Sequence, residues 1–269
     1  FMSKGEYSKA LDHYNKSIEL NRNFFDAFWN RSLVLLLLGK FKEGWEGYEY
    51  RFKKESSVDS KNFNKPKWNG SSLKGKKILI ASEQGFGDNI QFVRYIPLIK
   101  SNGGNIILEC KKELKKLFED SFEINKNVDE ILEKNERLNK DFDFYIHIMS
   151  LPRIFKTEID SIPNKIPYLK ADPYLIEKFK KKIEQGINKK NLNKIKTGIV
   201  WAGNPGYEND KNRSTIFEKF KILKNNPNII LFSLQKGEAS KQLNDSEIID
   251  LSNEINDFSD TAAIIQNLD

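Results

Sequence analysis

The chain has a single cysteine, Cys110, so no internal disulfide framework holds it together. With one cysteine and two histidines, an ordinary zinc site is not expected either. No apolar run approaches the roughly 18 residues that a membrane-spanning helix needs; the longest, "LVLLLL" at 33–38, is far shorter. The opening "FMSKGEYSKAL" is charged and helical in pattern and does not read as a signal peptide, so a cytoplasmic protein is expected. Nor is there a dense basic surface interleaved with aromatics. The net charge of +7 is spread through lysine-rich stretches such as "KFKKK" at 178–182, which read as solvated helix faces. No nucleic-acid partner is expected, although a diphosphate-bearing substrate would be attracted to such a chain.

What is present begins with a repeat. Gly5 and Gly39 lie 34 residues apart, and so do Tyr7 and Phe41, Ala10 and Gly44, Leu11 and Trp45, Tyr14 and Tyr48. Small residues at Ala10 and Gly44 let paired helices approach, and the aromatics plug the groove between them. "GEYSKALDHYNKSIEL" and "GKFKEGWEGYEYRF", with "DAFWNRSLVLLLLGKF" as the intervening helix, resemble the tetratricopeptide repeat over about residues 2 to 54. Arg22 stands where that repeat usually has proline. Fewer than two full repeats cannot bury their own faces. The segment is therefore either a brace packed on the rest of the chain or a surface for a protein or glycan acceptor.

Residues 55–75, polar and punctuated by Pro66 and Gly70, read as a linker that Trp68 pins to a neighbouring surface. From Lys76 short apolar runs alternate with helical patterns: "KILIAS", then a helix over 89–100 capped by Asp88, "NIILEC", "KKELKKLFED", "VDEILEK" and "FDFYIHIMSLP". After a Pro-punctuated stretch at 162–173 and a helix in "YLIEKFKKKIEQGI", the alternation restarts with "KTGIVWAGNPG", a helix in "STIFEKFKILKNN", "NIILFSLQKG", "IIDLS" and "DTAAIIQNL". Strands alternating with helices predict parallel sheets. The expected fold class is α/β: tetratricopeptide-type helices (1–54), the linker (55–75), an N-terminal Rossmann-like domain (76–174), a connecting helix (175–192) and a partial C-terminal Rossmann-like domain (193–269). With about three strands before Asp269, the second sheet reads as unfinished.

Ligands of open parallel sheets sit at the carboxyl ends of the strands, where glycines let backbone N–H groups approach an anion. "SEQGFGD" has that form, through Gly85 and Gly87. Glu109, 22 residues past Gly87, stands where an acid can hold a ribose, a combination similar to the first motif of adenosylmethionine-dependent methyltransferases. The alternative for Glu109 is a solvated strand end, and for Asp88 a helix cap that competes with catalysis for the same lone pairs. In the second unit, "VWAGNPGYENDKNRS" and "LFSLQKG" repeat the strand-then-turn form. Asn204, Lys211, Arg213 and Ser214 lie in the first of these turns, and Gln235, Lys236 and Gly237 in the second. A guanidinium beside a helix start would clamp a diphosphate.

The blocks "PKWNGSSLKGKKILIASEQGFGDNIQFVRYIPLI", "DFYIHIMSLPRIF", "IPYL", "TGIVWAGNPGYENDKNRS", "LFSLQKG" and "DFSDTAAIIQNLD" occur in this order over about residues 66 to 269. As a set they resemble bacterial proteins that join tetratricopeptide repeats to a glycosyltransferase region related to the heptosyltransferases, of glycosyltransferase family 9 type. The resemblance implies a GT-B architecture and inverting, metal-independent transfer from a nucleotide-diphospho-sugar, with no further cofactor. It implies that Asp88, which follows Gly87 as in that family, is the general base on the acceptor hydroxyl. Substrate contacts are then expected from Glu83, Gln84, Gly85, Gly87 and Gln91 in the first unit, and from the residues named above in the second. Asp88 and Arg213 would line one inter-domain cleft. Pro97 comes later than in the family's helix. The family also continues past "NLD" with a nucleotide-contacting strand and turn, so this chain is expected to be incomplete or weakly active by itself. Two other readings compete: a non-catalytic repeat scaffold, and a methyltransferase. The restart at "TGIVWAG" argues against the methyltransferase.

Overall fold

A computed structural model describes residues 5–53, 63–123, 126–134, 136, 141–188, 191, 193–207 and 209–269. Residues 55–62 of the expected linker lie outside the described residues. The chain forms two compact units, one of residues 1–112 and 122–168, the other of 113–121 and 169–269.

The first unit opens with helices α1 (Tyr7–Leu20), α2 (Phe25–Leu37) and α3 (Phe41–Tyr48), followed by a 3-10 turn over Glu49–Lys53. The 34-residue spacing is visible in the backbone. Gly5 and Gly39 take the same left-handed conformation, φ 73° and 74°, just before α1 and α3. That region is strained for any residue with a Cβ. Ala10 is buried, and at the equivalent Gly44 a Cβ would come within 2.7 Å of Leu36 Cδ2, so a small residue sets how closely α2 and α3 pack.

The sheet of this unit is formed by β1 (Lys77–Ala81), β2 (Asn105–Cys110), β3 (Glu130–Glu133) and β4 (Phe144–His147), in the order β3-β2-β1-β4 with every pairing parallel. Ile78, Leu79 and Ile80 of central β1 are completely buried, which is why that strand reads as a continuous apolar run and not as an alternating one. Trp68 is pinned as the sequence suggests. Its N–H donates to Tyr145 O (2.8 Å), and its indole N–H to Ser71 O (2.8 Å).

The helix expected over 89–100 differs in detail. α4 spans Phe86–Phe92, a 3-10 turn Val93–Tyr95 follows, and α5 runs Ile96–Ser101. Pro97 has no N–H to give to the preceding turn, so the α pattern breaks there. Gly85, not Asp88, is the N-cap.

The second unit has β5 (Ile195–Ile199), β6 (Ile229–Ser233) and β7 (Ile249–Asp250), in that order and all parallel. Along β6 the side chains alternate. Ile230 and Phe232 pack with Phe179 and Ile183 of α8 (Pro173–Gly186) and with Ala263 and Ile264 of α9 (Phe258–Ile265), while Leu231 packs on the other face with Trp201, Phe217 and Ile248. Helix α6 (Lys112–Ser121) belongs to this unit from Glu113 onward: Ser259 Oγ donates to Asp120 Oδ2 (2.7 Å), and Lys170 N to Ser121 Oγ (2.9 Å). The lysines of "KFKKK" lie on α8 around buried Phe179, on the solvated face expected of them. The segment expected to be a helix over 214–226 is instead a 3-10 stretch, Phe217–Asn225. No described helix is long and apolar enough to cross a membrane.

Candidate functional site

In the first unit, the site is the turn that follows β1. Glu83 is 1% exposed and begins it. Its carboxylate accepts two hydrogen bonds from Arg51, Nε to Oε2 (3.1 Å) and Nη2 to Oε1 (2.7 Å), and a third from Met149 N (3.0 Å). Glu83 was expected to touch substrate; its carboxylate is instead committed to this ion pair inside the protein. Gln84 follows with φ 59°, a left-handed conformation that is unusual for a residue with a side chain. Gln84, Gly85 and Gly87 are exposed. Asn89 is buried, and its Nδ2 donates to Glu83 O (3.0 Å) and Gly85 O (2.7 Å), closing the turn from within.

Asp88 sits at the third position of α4, half-buried, and its Oδ2 accepts from Gly85 N (2.8 Å). It thus caps its helix backwards, onto the preceding residues, as the second half of a capping box does. The expected competition between capping and catalysis is relieved, because a carboxylate has two oxygens. Oδ2 takes the cap, and Oδ1 makes no hydrogen bond among the described residues. Gln91, one turn further along α4 and exposed, lines a cavity of about 140 Å³ with Phe41 and Trp45 of α3 and Phe92, Arg94 and Tyr95.

Glu109 corrects an expectation. It is neither a ribose ligand at the surface nor a solvated strand end, for it is completely buried and its Oε1 accepts from Ser82 N (3.2 Å). The sequence also contains a D-x-D, Asp141-Phe142-Asp143. It precedes β4, at the end of the parallel sheet away from the glycine turn, and Asp143 accepts from Lys77 N (2.8 Å).

Sequence reasoning missed how the repeat segment enters this site. Arg51 Nη1 donates to Tyr48 O (3.1 Å) and Glu49 Oε1 (2.9 Å), and Nη2 also reaches Ser150 Oγ (2.9 Å). Its guanidinium lies 4.0 Å from the Phe52 ring centroid and 4.5 Å from that of Tyr48. Lys67 Nζ reaches Glu49 Oε2 (2.5 Å). With Trp45 edge-on to Phe92 (5.8 Å), these contacts make the repeat segment a brace on the α/β body. The only signal in the sequence was that so short a repeat needs something to pack against.

Burial pushes the Glu49 carboxyl up, but Arg51 and Lys67 outweigh it and hold it at about 2, against an ordinary 4.5. The folded value lies below the unfolded one. The stabilisation is therefore present above pH 4.5 and lost as the pH falls from there toward 2. It amounts to about 3 kcal/mol at most, reduced by screening because the side chain is 20% exposed. Urea unfolding followed across that window is expected to show wild-type stability falling more steeply than that of Glu49→Gln. Burial likewise raises the Tyr48 hydroxyl to about 12.

In the second unit, two strand-end turns meet. Gln235, 2% exposed, accepts at Oε1 from Trp201 N and Ala202 N (both 2.9 Å), and its Nε2 donates to Ala202 O (3.0 Å). It therefore ties the turn after β6 to the turn after β5. In the latter, Gly203 N donates to Ser214 Oγ (2.8 Å), and Gly206 N to Asn204 Oδ1 (2.9 Å). Arg213 Nε donates to Asp210 Oδ1 (3.0 Å), and its guanidinium lies 4.5 Å from the Tyr207 ring centroid. A Cβ on Gly203 would come within 2.6 Å of Arg213 Nη2, so that glycine makes room for the guanidinium. Arg213 ends a short 3-10 turn, Asp210–Asn212, and is not at an α-helix start as expected. Its side chain is half exposed, and Lys211 and Gly237 are exposed as well. Lys236 is spent differently: its Nζ donates to Ser252 O and Ile255 O (both 2.8 Å) and fastens the turn to the segment after β7.

Comparison with known proteins places the chain further. Residues 1–39, the stretch that holds α1 and α2, match the TPR repeat family. The chain is 26% identical over 228 residues to Protein FlbA of Caulobacter vibrioides, covering 79% of this chain and 37% of that protein; it spans little more than a third of that relative's length. Over 62 residues it is 37% identical to the uncharacterized protein MJ0572 of Methanocaldococcus jannaschii, covering 23% of this chain and 72% of that one. Over that stretch the chain belongs to the same family as the archaeal protein. Among solved structures, a glycosyl transferase family 9 protein from Veillonella parvula aligns over 73% of this chain and 86% of its own, with 9% identity and a TM-score of 0.35.

Proposed function

We propose that this chain is the repeat-bearing part of an inverting, metal-independent glycosyltransferase of GT-B type that uses a nucleotide-diphospho-sugar. The observation that carries the reading is Asp88, a carboxylate at the mouth of a glycine turn after β1 with one oxygen fixed by Gly85 N and the other available. In this reading Oδ1 takes the proton of an acceptor hydroxyl. The hydroxyl oxygen attacks the anomeric carbon from the face opposite the diphosphate. The bond from that carbon to the phosphate oxygen breaks, and the nucleoside diphosphate leaves with the electron pair. Diphosphate binding is assigned in this reading to Arg213 and Lys211, cations left exposed in the strand-end turn of the second unit. Lys236, held by two carbonyls, is given a structural role here. Besides bracing the α/β body, the repeat is assigned in this reading to binding of the acceptor, a protein or a glycan.

The test is product stereochemistry. The full-length protein is incubated with a panel of nucleotide-sugars and simple hydroxyl acceptors, and the anomeric configuration of any transferred sugar is read by NMR. Inversion without added divalent metal is expected; retention, or strict metal dependence, would contradict the reading. Buried Glu109 disfavours the methyltransferase alternative, since its carboxylate cannot reach a ribose.

A further inference from the structure

The repeat segment and the glycine turn share a buried ion pair, and contacts lead step by step from Arg51 to Asp88. Arg51 and Glu83 are 6% and 1% exposed, and the guanidinium grips both oxygens of the carboxylate. Glu83 is followed directly by Gln84 in its left-handed conformation, then by Gly85, whose N–H is the donor held by Asp88 Oδ2. Asn89 Nδ2 ties Glu83 O to Gly85 O across the same turn. The far side of the guanidinium is fixed by the repeat's own end, through Tyr48 O, Glu49 Oε1 and the Phe52 ring.

We propose that Arg51 is a positioning residue for Asp88: the repeat segment sets the conformation of the turn Glu83–Asp88 through the Arg51–Glu83 pair. The catalytic part of this rests on the reading of Asp88 as general base; the mechanical part does not. All three guanidinium nitrogens are engaged, Nε by Glu83, Nη1 by Tyr48 O and Glu49, and Nη2 by Glu83 and Ser150. Lysine keeps the charge but has no planar fork and cannot hold both carboxylate oxygens and the repeat's carbonyl together. Any force that shifts the end of the repeat, such as acceptor binding, is passed to the turn through this pair.

The experiment compares Arg51→Lys and Arg51→Met with wild type in the full-length protein. Amide exchange is measured at Gly85 and, as internal references, in α1 and β6; kcat and nucleoside diphosphate affinity are measured in parallel. In Arg51→Lys, Gly85 exchange is expected to rise about tenfold with the references unchanged. Its kcat is expected to fall about 100-fold at unchanged affinity. Gly85 protection that survives both substitutions would overturn the proposal. So would equal loss of protection in Gly85 and α1 in both variants, since that marks general loosening. Selective loss at Gly85 in Arg51→Lys, from a wild-type protein that turns over no nucleotide-sugar, would uphold the coupling and remove the base role of Asp88.

Discussion

Asp88→Asn is expected to lower kcat by about 10²- to 10⁴-fold, the usual contribution of a positioned general base. It should leave the melting temperature and the affinity for nucleoside diphosphate as they are. The asparagine side-chain oxygen can still accept the Gly85 N–H that Asp88 Oδ2 accepts at 2.8 Å, so the turn and the start of α4 keep their cap. What is lost is the negative charge and with it the ability to take a proton. Asp88→Ala separates the two roles, because it loses the cap as well and costs about 1 kcal/mol of stability in addition. Turnover by nucleotide-sugar consumption and stability by urea titration, on the same preparations, distinguish them. An asparagine variant with wild-type turnover would leave Asp88 with capping alone.

Arg51→Met is expected to destabilise the first unit by about 3–5 kcal/mol, because the buried Glu83 carboxylate loses the guanidinium that grips both its oxygens. Burial disfavours the Arg51 guanidinium, but Glu83 and Glu49 outweigh that penalty and strengthen its hold on its proton. Removing both charges, as in Arg51→Met with Glu83→Met, is expected to recover much of the loss, since the desolvation cost disappears with the attraction. The denaturant midpoint of the three variants is the measurement. A double variant no more stable than Arg51→Met would show that the loss comes from the guanidinium's packing on Phe52 and Tyr48, not from the broken ion pair.

These expectations depend on features that were unevenly legible in the sequence. Strands such as "KILIA" were readable because a strand buried on both faces is a near-continuous apolar run, and β1 spans those residues. The repeat was readable because Gly5 and Gly39 occupy the same left-handed turn. The start of α4 was placed too late: Phe86 and Gly87 read as loop, and nothing local shows that a carboxylate at the third helical position will reach back to Gly85. Non-local partnership was illegible. Glu83 and Arg51 are 32 residues apart and belong to different sequence patterns, so their pairing follows only from how the repeat docks. Glu109 was misread for the same reason, and the contacts of Lys236 were equally hidden, as a basic residue after a strand and an acid at a strand end look alike whether free or engaged. Ser252, Ile255 and Ser82 supply the partners that decide it. Arg213 was expected at a helix start because "STIFEKFKILKNN" has helical spacing, yet that stretch folds as 3-10.

Calorimetric titration of the protein with uridine, guanosine and adenosine diphosphates and with adenosylmethionine tests the central claim most directly. The account predicts saturable binding of a nucleoside diphosphate that weakens with added salt and falls about tenfold in Arg213→Ala, with no heat from adenosylmethionine. Binding of adenosylmethionine alone, or diphosphate binding indifferent to Arg213, would contradict it.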